Sequence, residues 1–235
     1  MTNNYSGQTY YAQESNLLYR VYGWMCLALA LTATTAYYVS TSPAFLAMIF
    51  GPEGKGTMVP IILFIVQIGL VLALSIFIQR ISYPVAVVLF ILYALSLGVT
   101  LSAIFLVYTF TSIFSTFLVA SGMFGAMAIY GYFTKSDLTS MGSFLFMALI
   151  GLVIGGLVNM FLKSESFQYV LAGIGVLVFT LYTAYDVQKI KNIMHDRFAD
   201  QETLSKIAII GALTLYLDFV NLFLSLLQFM GRKKE

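Results

Sequence analysis

Two aspartates, Asp186 and Asp218, are the residues of this chain best placed to do chemistry. Each sits in a long apolar run, where an ionisable side chain costs about 2.5–3.5 kcal/mol even on insertion scales, so its presence asks for a function. Asp218 lies near the middle of the run 205–230, and Asp186 lies toward the end of the run 167–187. Two carboxyl groups brought together away from water cannot both ionise cheaply. They titrate as a coupled unit and can share one proton. Such a pair responds to pH, and once deprotonated it attracts a divalent cation. Oxygen ligation suits Ca²⁺, but two carboxylates fall short of the roughly 6–8 oxygens of a tight site. The chemistry implied is weak, transient metal binding along a path.

A cation of the protein can compete for the same pair. Arg80 follows the second apolar run. Its long side chain either snorkels to water or turns inward. Turned inward, it would latch onto Asp186, and the switch would be a contest between Arg80 and Asp218 for that carboxylate. Asn221, three residues after Asp218 on about the same helix face, is a candidate hydrogen-bonding group within the aspartate site.

The elements that position these residues follow from hydropathy. Of 235 residues, 60% are hydrophobic and 9% charged, against about 25% charged in a soluble domain. Mean hydropathy is +0.90. A soluble enzyme, a disordered regulator and a nucleic-acid binder are excluded, and a net charge of +2 points to no polyanionic partner. One cysteine, Cys26, and one histidine, His195, leave cysteine-rich metal sites and Ser-His hydrolysis without their residues. No cofactor is expected.

About 20 apolar residues span a bilayer as a helix. Seven runs qualify: 21–39, 59–79, 84–108, 112–133, 143–162, 167–187 and 205–230. They lack the ten-residue alternation of barrel strands. The expected fold is an all-α seven-transmembrane helix bundle, with a polar segment 1–20, a membrane domain 21–230 and a basic tail 231–235. The polar segment lacks the basic start of a signal peptide, so the first span is expected to be retained. Arg80-Ile81-Ser82-Tyr83-Pro84 reads as a turn opening a helix on proline. Gly151, Gly155 and Gly156, and less cleanly Gly122 and Gly125, form small-residue faces suited to close helix packing. Gln67, Asn159, Asn221 and Gln228 are expected to bridge helices by hydrogen bonds.

Apolar residues at 187, 190, 193 and 194 keep helical spacing. The sixth helix is therefore predicted to continue to about residue 195, with Asp186 inside it. A turn centred near Gln201 and Glu202 would then leave Asp186 fifteen residues before it and Asp218 seventeen after it, at equal depth. Basic residues collect in the cytoplasm. Arg20, Arg80, Lys135, Lys189, Lys191, Arg197 and Lys206 fall on the side of the N-terminus, against Lys55 and Lys163 opposite, which makes a cytoplasmic N-terminus the expectation. The tail Arg232-Lys233-Lys234 conflicts with seven crossings. Either it lies outside, or the last segment is re-entrant.

Several runs carry a resemblance. Ala212-Leu213-Thr214-Leu215-Tyr216-Leu217-Asp218-Phe219-Val220-Asn221-Leu222-Phe223 resembles the signature of the Bax inhibitor-1, or transmembrane Bax inhibitor motif, family. The run from Phe124 to Leu138, with Gly131-Tyr132-Phe133-Thr134-Lys135-Ser136-Asp137, and the segment Ala184-Tyr185-Asp186 are similar to it too. The likeness covers nearly the whole chain and is closest to bacterial inner-membrane members. It implies a bundle with the last helix central and a pH-sensitive calcium leak channel. By motif position its aspartate pair is Asp186 and Asp218, and its arginine latch is Arg80. It also implies an alternative, modulation of a membrane-bound ATP-dependent protease, which would act through a protein partner. Its other partners are the lipid bilayer, Ca²⁺ and protons.

An intramembrane aspartyl protease would also place one Asp on each of two helices, and Tyr185-Asp186 fits that pattern. Such enzymes carry Gly-x-Gly-Asp at the second position, whereas this chain has Tyr216-Leu217-Asp218, and no Pro-Ala-Leu follows. No enzyme activity is expected. A retinal protein needs a buried lysine in the last helix, which offers only Lys206 at its edge. His195 reads as a solvated loop residue.

Overall fold

The computed structural model describes residues 3–51, 57–195 and 201–234, and side chains within 17–51, 57–193 and 201–234. The helices are α1 (Asn3–Thr41), α2 (Pro43–Phe50), α3 (Val59–Phe77), α4 (Tyr83–Leu101), α5 (Ile104–Val107), α6 (Phe110–Phe133), α7 (Met141–Leu162), α8 (Glu165–His195) and α9 (Gln201–Met230). No strand occurs among the described residues. Seven helical stretches are long and apolar enough to cross a membrane: Leu17–Thr41, Val59–Phe77, Tyr83–Val107, Phe110–Phe133, Met141–Leu162, Glu165–Ile193 and Gln201–Met230. All seven expected runs are thus present. The short α2, opened by Pro43, is an addition. A two-residue break at Ser102 and Ala103 separates α4 from α5 within the third span. Pro84 stands in the first turn of α4, where its missing N–H costs nothing.

The chain forms two compact units. The first holds α1 to α5 and the start of α9, through Leu213. Here α4 meets α1 at Gly98, where a Cβ would lie 2.7 Å from the Thr32 carbonyl oxygen. The Thr32 hydroxyl donates to the Ala94 carbonyl at 2.9 Å, which joins the same two helices. Gln67 bridges α3 to α4, its amide donating to Thr100 Oγ1 at 2.7 Å and to the Ser96 carbonyl at 3.0 Å. That is the interhelical bond expected of it.

The second unit holds α6, α7, α8 and α9 from Thr214 onward. Phe219 of α9 packs edge-on against Phe117 and Phe124 of α6, with ring centroids 5.5 Å apart in both pairs. Edge-to-face pairs of this kind add about 0.5–1.5 kcal/mol beyond area burial. The turn between α7 and α8 is tight. Lys163 takes a left-handed conformation (φ 51°) and its N–H donates to the Asn159 carbonyl at 2.7 Å. Asn159 Oδ1 then accepts from Ser164 N–H at 3.1 Å. Asn159 therefore caps its own helix end and does not bridge helices as expected.

Burial separates the last helix from the rest. In α9, 67% of the most apolar window is buried, against 11% to 39% for the other six spans. Tyr216, Ile209, Leu215, Leu222 and Leu227 are fully enclosed. Phe64, Ile65, Ile154 and Phe161 on α3 and α7 are exposed, apolar side chains that a bilayer would cover and water would not.

The candidate aspartate site

Asp186 lies inside α8, which runs on to His195 as the spacing predicts. His195 is the last residue of that helix and not a loop residue; its side chain lies outside the described residues. The expected turn at Gln201 and Glu202 is corrected: both belong to the first turn of α9. Equal residue counts from a turn therefore do not explain how the aspartates meet. They meet because α8 and α9 pack closely where small or flat groups allow it. A Cβ on Gly175 would come 2.5 Å from Ser225 Oγ, and Tyr169 stacks on Phe229 at 4.5 Å.

The carboxyl groups of Asp186 and Asp218 lie within hydrogen-bonding reach of each other. Each residue is only 6% exposed. A hydrogen bond between two carboxyl groups requires one of them to hold the proton, since two carboxylates are acceptors only. One oxygen of the pair, Asp218 Oδ2, is buried with no hydrogen-bond partner. Among the described residues no group of three His, Cys, Asp or Glu side chains converges.

Three neighbours of the pair were not singled out in the sequence. Tyr182, one turn before Asp186, lies within electrostatic reach of both carboxyl groups. Lys189, exposed and one turn after Asp186, is a cation within reach of it, and its ammonium stands 5.6 Å over the Tyr185 ring. The i+3 spacing of Lys189 was a usable signal. Gln188, buried, holds the loop between α6 and α7 onto this part of α8. Its Oε1 accepts from Leu138 N–H at 2.8 Å, and its Nε2 donates to the Ser136 carbonyl at 2.8 Å. Lys191 reinforces the clasp by donating to the Tyr132 carbonyl at 3.0 Å. A small cavity of about 210 Å³ beside the clasp is lined by Tyr185, Gln188 and Lys189.

The other expected residues are placed as follows. Arg80 is exposed in the turn after α3, in the first unit, while both aspartates belong to the second. The Asn221 amide donates to the Leu217 carbonyl of its own helix at 2.8 Å and makes no hydrogen bond to either aspartate. Gln228 is exposed. Of the four amides expected to bridge helices, only Gln67 does so. The glycine faces are also corrected. A Cβ on Gly122, Gly125, Gly151 or Gly156 would meet nothing within 4 Å, and one on Gly155 would meet the Leu171 side chain. The backbone approach in this unit is at Gly131, whose Cβ would lie 2.3 Å from the Ala184 carbonyl oxygen.

Residues 14–235 match the family model described as inhibitor of apoptosis-promoting Bax1. The inner membrane protein YbhL of Escherichia coli is 49% identical over 229 residues, covering 97% of this chain and 93% of that protein. An uncharacterized protein of Borreliella burgdorferi is 41% identical, covering 94% of each chain. One from Rickettsia prowazekii is 43% identical, covering 92% of this chain and 89% of its own. With a match across nearly its whole length and the aspartates on its last two long helices, the chain belongs to the Bax inhibitor-1 family.

Proposed function

We propose that this protein is a pH-gated Ca²⁺ leak channel of the bacterial inner membrane, with its N-terminus in the cytoplasm. The observation that carries the reading is the buried aspartate pair, two carboxyl groups in mutual hydrogen-bonding reach with one oxygen unpartnered. With one shared proton, the pair ties α8 to α9 through a hydrogen bond. When that proton leaves, two charges repel at low dielectric, and the α8–α9 contact loses a tie and gains a cation-attracting site. Membership of the family and seven apolar helices support a membrane role. Arg80 enters the proposal as the latch competing for Asp186. Lys189, already within electrostatic reach of Asp186, is a second cation that would hold the deprotonated state.

The test is Ca²⁺ flux in proteoliposomes at several pH values. The wild type leaks in a pH-dependent manner. Asp218→Asn loses that dependence, and Asp186→Asn, which removes the latch partner, raises basal flux. A pH profile unchanged in Asp218→Asn would remove the pair from gating. Absence of any leak, together with co-purification of a membrane-bound ATP-dependent protease, would favour the regulatory reading instead.

A further inference from the structure

A groove of about 720 Å³ runs between α7, α8 and α9 in the second unit, far more than the roughly 30 Å³ one water occupies in the liquid. Its mouth lies at the α7–α8 turn, beside Lys163 and Glu165, and its inner end reaches Phe179 and Asn221. The α9 wall is a polar stripe. Asp218, Asn221, Ser225 and Gln228 recur at intervals of three, four and three residues, which puts them on one face of the helix. The last three line the groove. Across from them on α8, Gly175, Phe179, Tyr182 and Asp186 follow one another on a single face. Gly175 and Phe179 line the groove. Phe179 then stacks on Tyr182 at 6.4 Å, and Tyr182 lies within electrostatic reach of both carboxyl groups. Phe179 and Tyr182 therefore link the inner end of the groove to the surroundings of the aspartate pair.

We infer that this groove is the half of the ion path on the α7–α8 side, with Asn221, Ser225 and Gln228 as its polar rail and Phe179 as the gate at its inner end. The inference rests on the leak reading above. The α7 wall is apolar, with Leu149, Leu152, Val153 and Met160, but a lipid chain would leave the α9 wall without polar partners. Neither the Ser225 hydroxyl nor the Gln228 amide has a hydrogen-bond partner among the described residues, and such groups are costly against hydrocarbon and well served by water. Two amides and a hydroxyl offer a partly dehydrated cation oxygen ligands without the charge that would trap it.

Cys26 is the single cysteine, so Cys26→Ser gives a cysteine-free parent. Ser225→Cys and Gln228→Cys are made in it, with Leu226→Cys, buried on the same helix, as the control. A membrane-impermeant cationic methanethiosulfonate is the probe. The expected result is labelling at 225 and 228 but not at 226, with Ca²⁺ flux reduced at least fivefold by modification. Phe179→Ala raises flux at every pH and leaves the midpoint of the pH profile in place. Labelling without loss of flux, or labelling at 225 only by a lipophilic maleimide, overturns the groove as a path. In either case a pH-gated leak in the parent leaves the channel reading intact. No leak in the unmodified parent overturns both.

Discussion

Asp137 shows what a carboxylate does here outside the apolar helices. It lies exposed in the loop between α6 and α7. Hydrogen bonds from the Thr139 side chain and from its backbone N–H, the latter at 2.9 Å to Oδ1, hold its pKa below the usual carboxylate value. The folded value lies under the unfolded one, so the contribution to loop order is present above the ordinary carboxylate range and is lost as pH falls through the folded value. The expected outcome is hydrogen-exchange protection of the Thr139 amide that declines on acidification. In Asp137→Asn the protection is flat with pH over that range. A wild-type loop equally protected at both ends would remove the role. The aspartate pair was legible in the sequence for the opposite reason: an acid in an otherwise uncharged span stands out without any structure. Its neighbours did not stand out. Tyr182 and Gln188 are ordinary residues for a helix, and only the packing of α8 against α9 and against the α6–α7 loop gives them their partners. Asn159 and Asn221 were misread because an amide in a span meets its own helix end or carbonyl as easily as a neighbour.

At the scale of elements, hydropathy located all seven spans because each must be apolar for the length of a bilayer. It could not locate the break at Ser102 and Ala103, which leaves the pattern apolar throughout, nor decide which glycines face a neighbouring backbone. Spacing marked Gly122 and Gly125, yet α6 meets α8 at Gly131. There Ala184 lies two residues before Asp186, so this contact sets where α8 holds its carboxylate. A Cβ at 131 would meet Ala184 backbone at 2.3 to 2.9 Å, and backbone cannot rotate away as a side chain can. Gly131→Ala is therefore expected to cost about 1–3 kcal/mol, as overpacking does, and to lower the Tm in detergent. It should also shift the pH profile of Ca²⁺ flux, because Asp186 moves with Ala184. Gly125→Ala, with open space around its Cβ, is the matched control, expected to stabilise by up to about 1 kcal/mol through helix propensity. Equal Tm values for the two variants would show that the approach at 131 relaxes without consequence.

For the whole molecule, the question left open by charge counting is the side of the tail. Thirty residues of α9 rise about 45 Å at 1.5 Å each, more than the roughly 30 Å hydrocarbon core, and the helix is continuous. A re-entrant last segment is not what forms. The end of α9 is pinned: Arg232 N–H donates to Ser112 Oγ at 2.9 Å, Thr109 N–H donates to the Arg232 carbonyl at 3.2 Å, and Lys233 pairs with Glu165 at 3.8 Å. These contacts put the tail at the α7–α8 turn. Lys135 of the α6–α7 loop and Lys189 and Lys191 of α8 lie at the other end of those helices. Orientation follows the summed Lys and Arg of the short loops near span ends, and the cytoplasmic N-terminus proposed above would put the α6–α7 loop in the cytoplasm. On that proposal the tail lies outside despite its three basic residues, one of which is partnered by Glu165. Alkaline phosphatase fused after Glu235 is expected to be active and a fluorescent protein fused there dark, with the reverse for fusions at Lys135. An active phosphatase at Lys135 would invert the orientation and put the mouth of the groove in the cytoplasm. An inactive phosphatase at both positions would mean that α9 does not cross, and the groove proposed above could not be half of a path across a membrane.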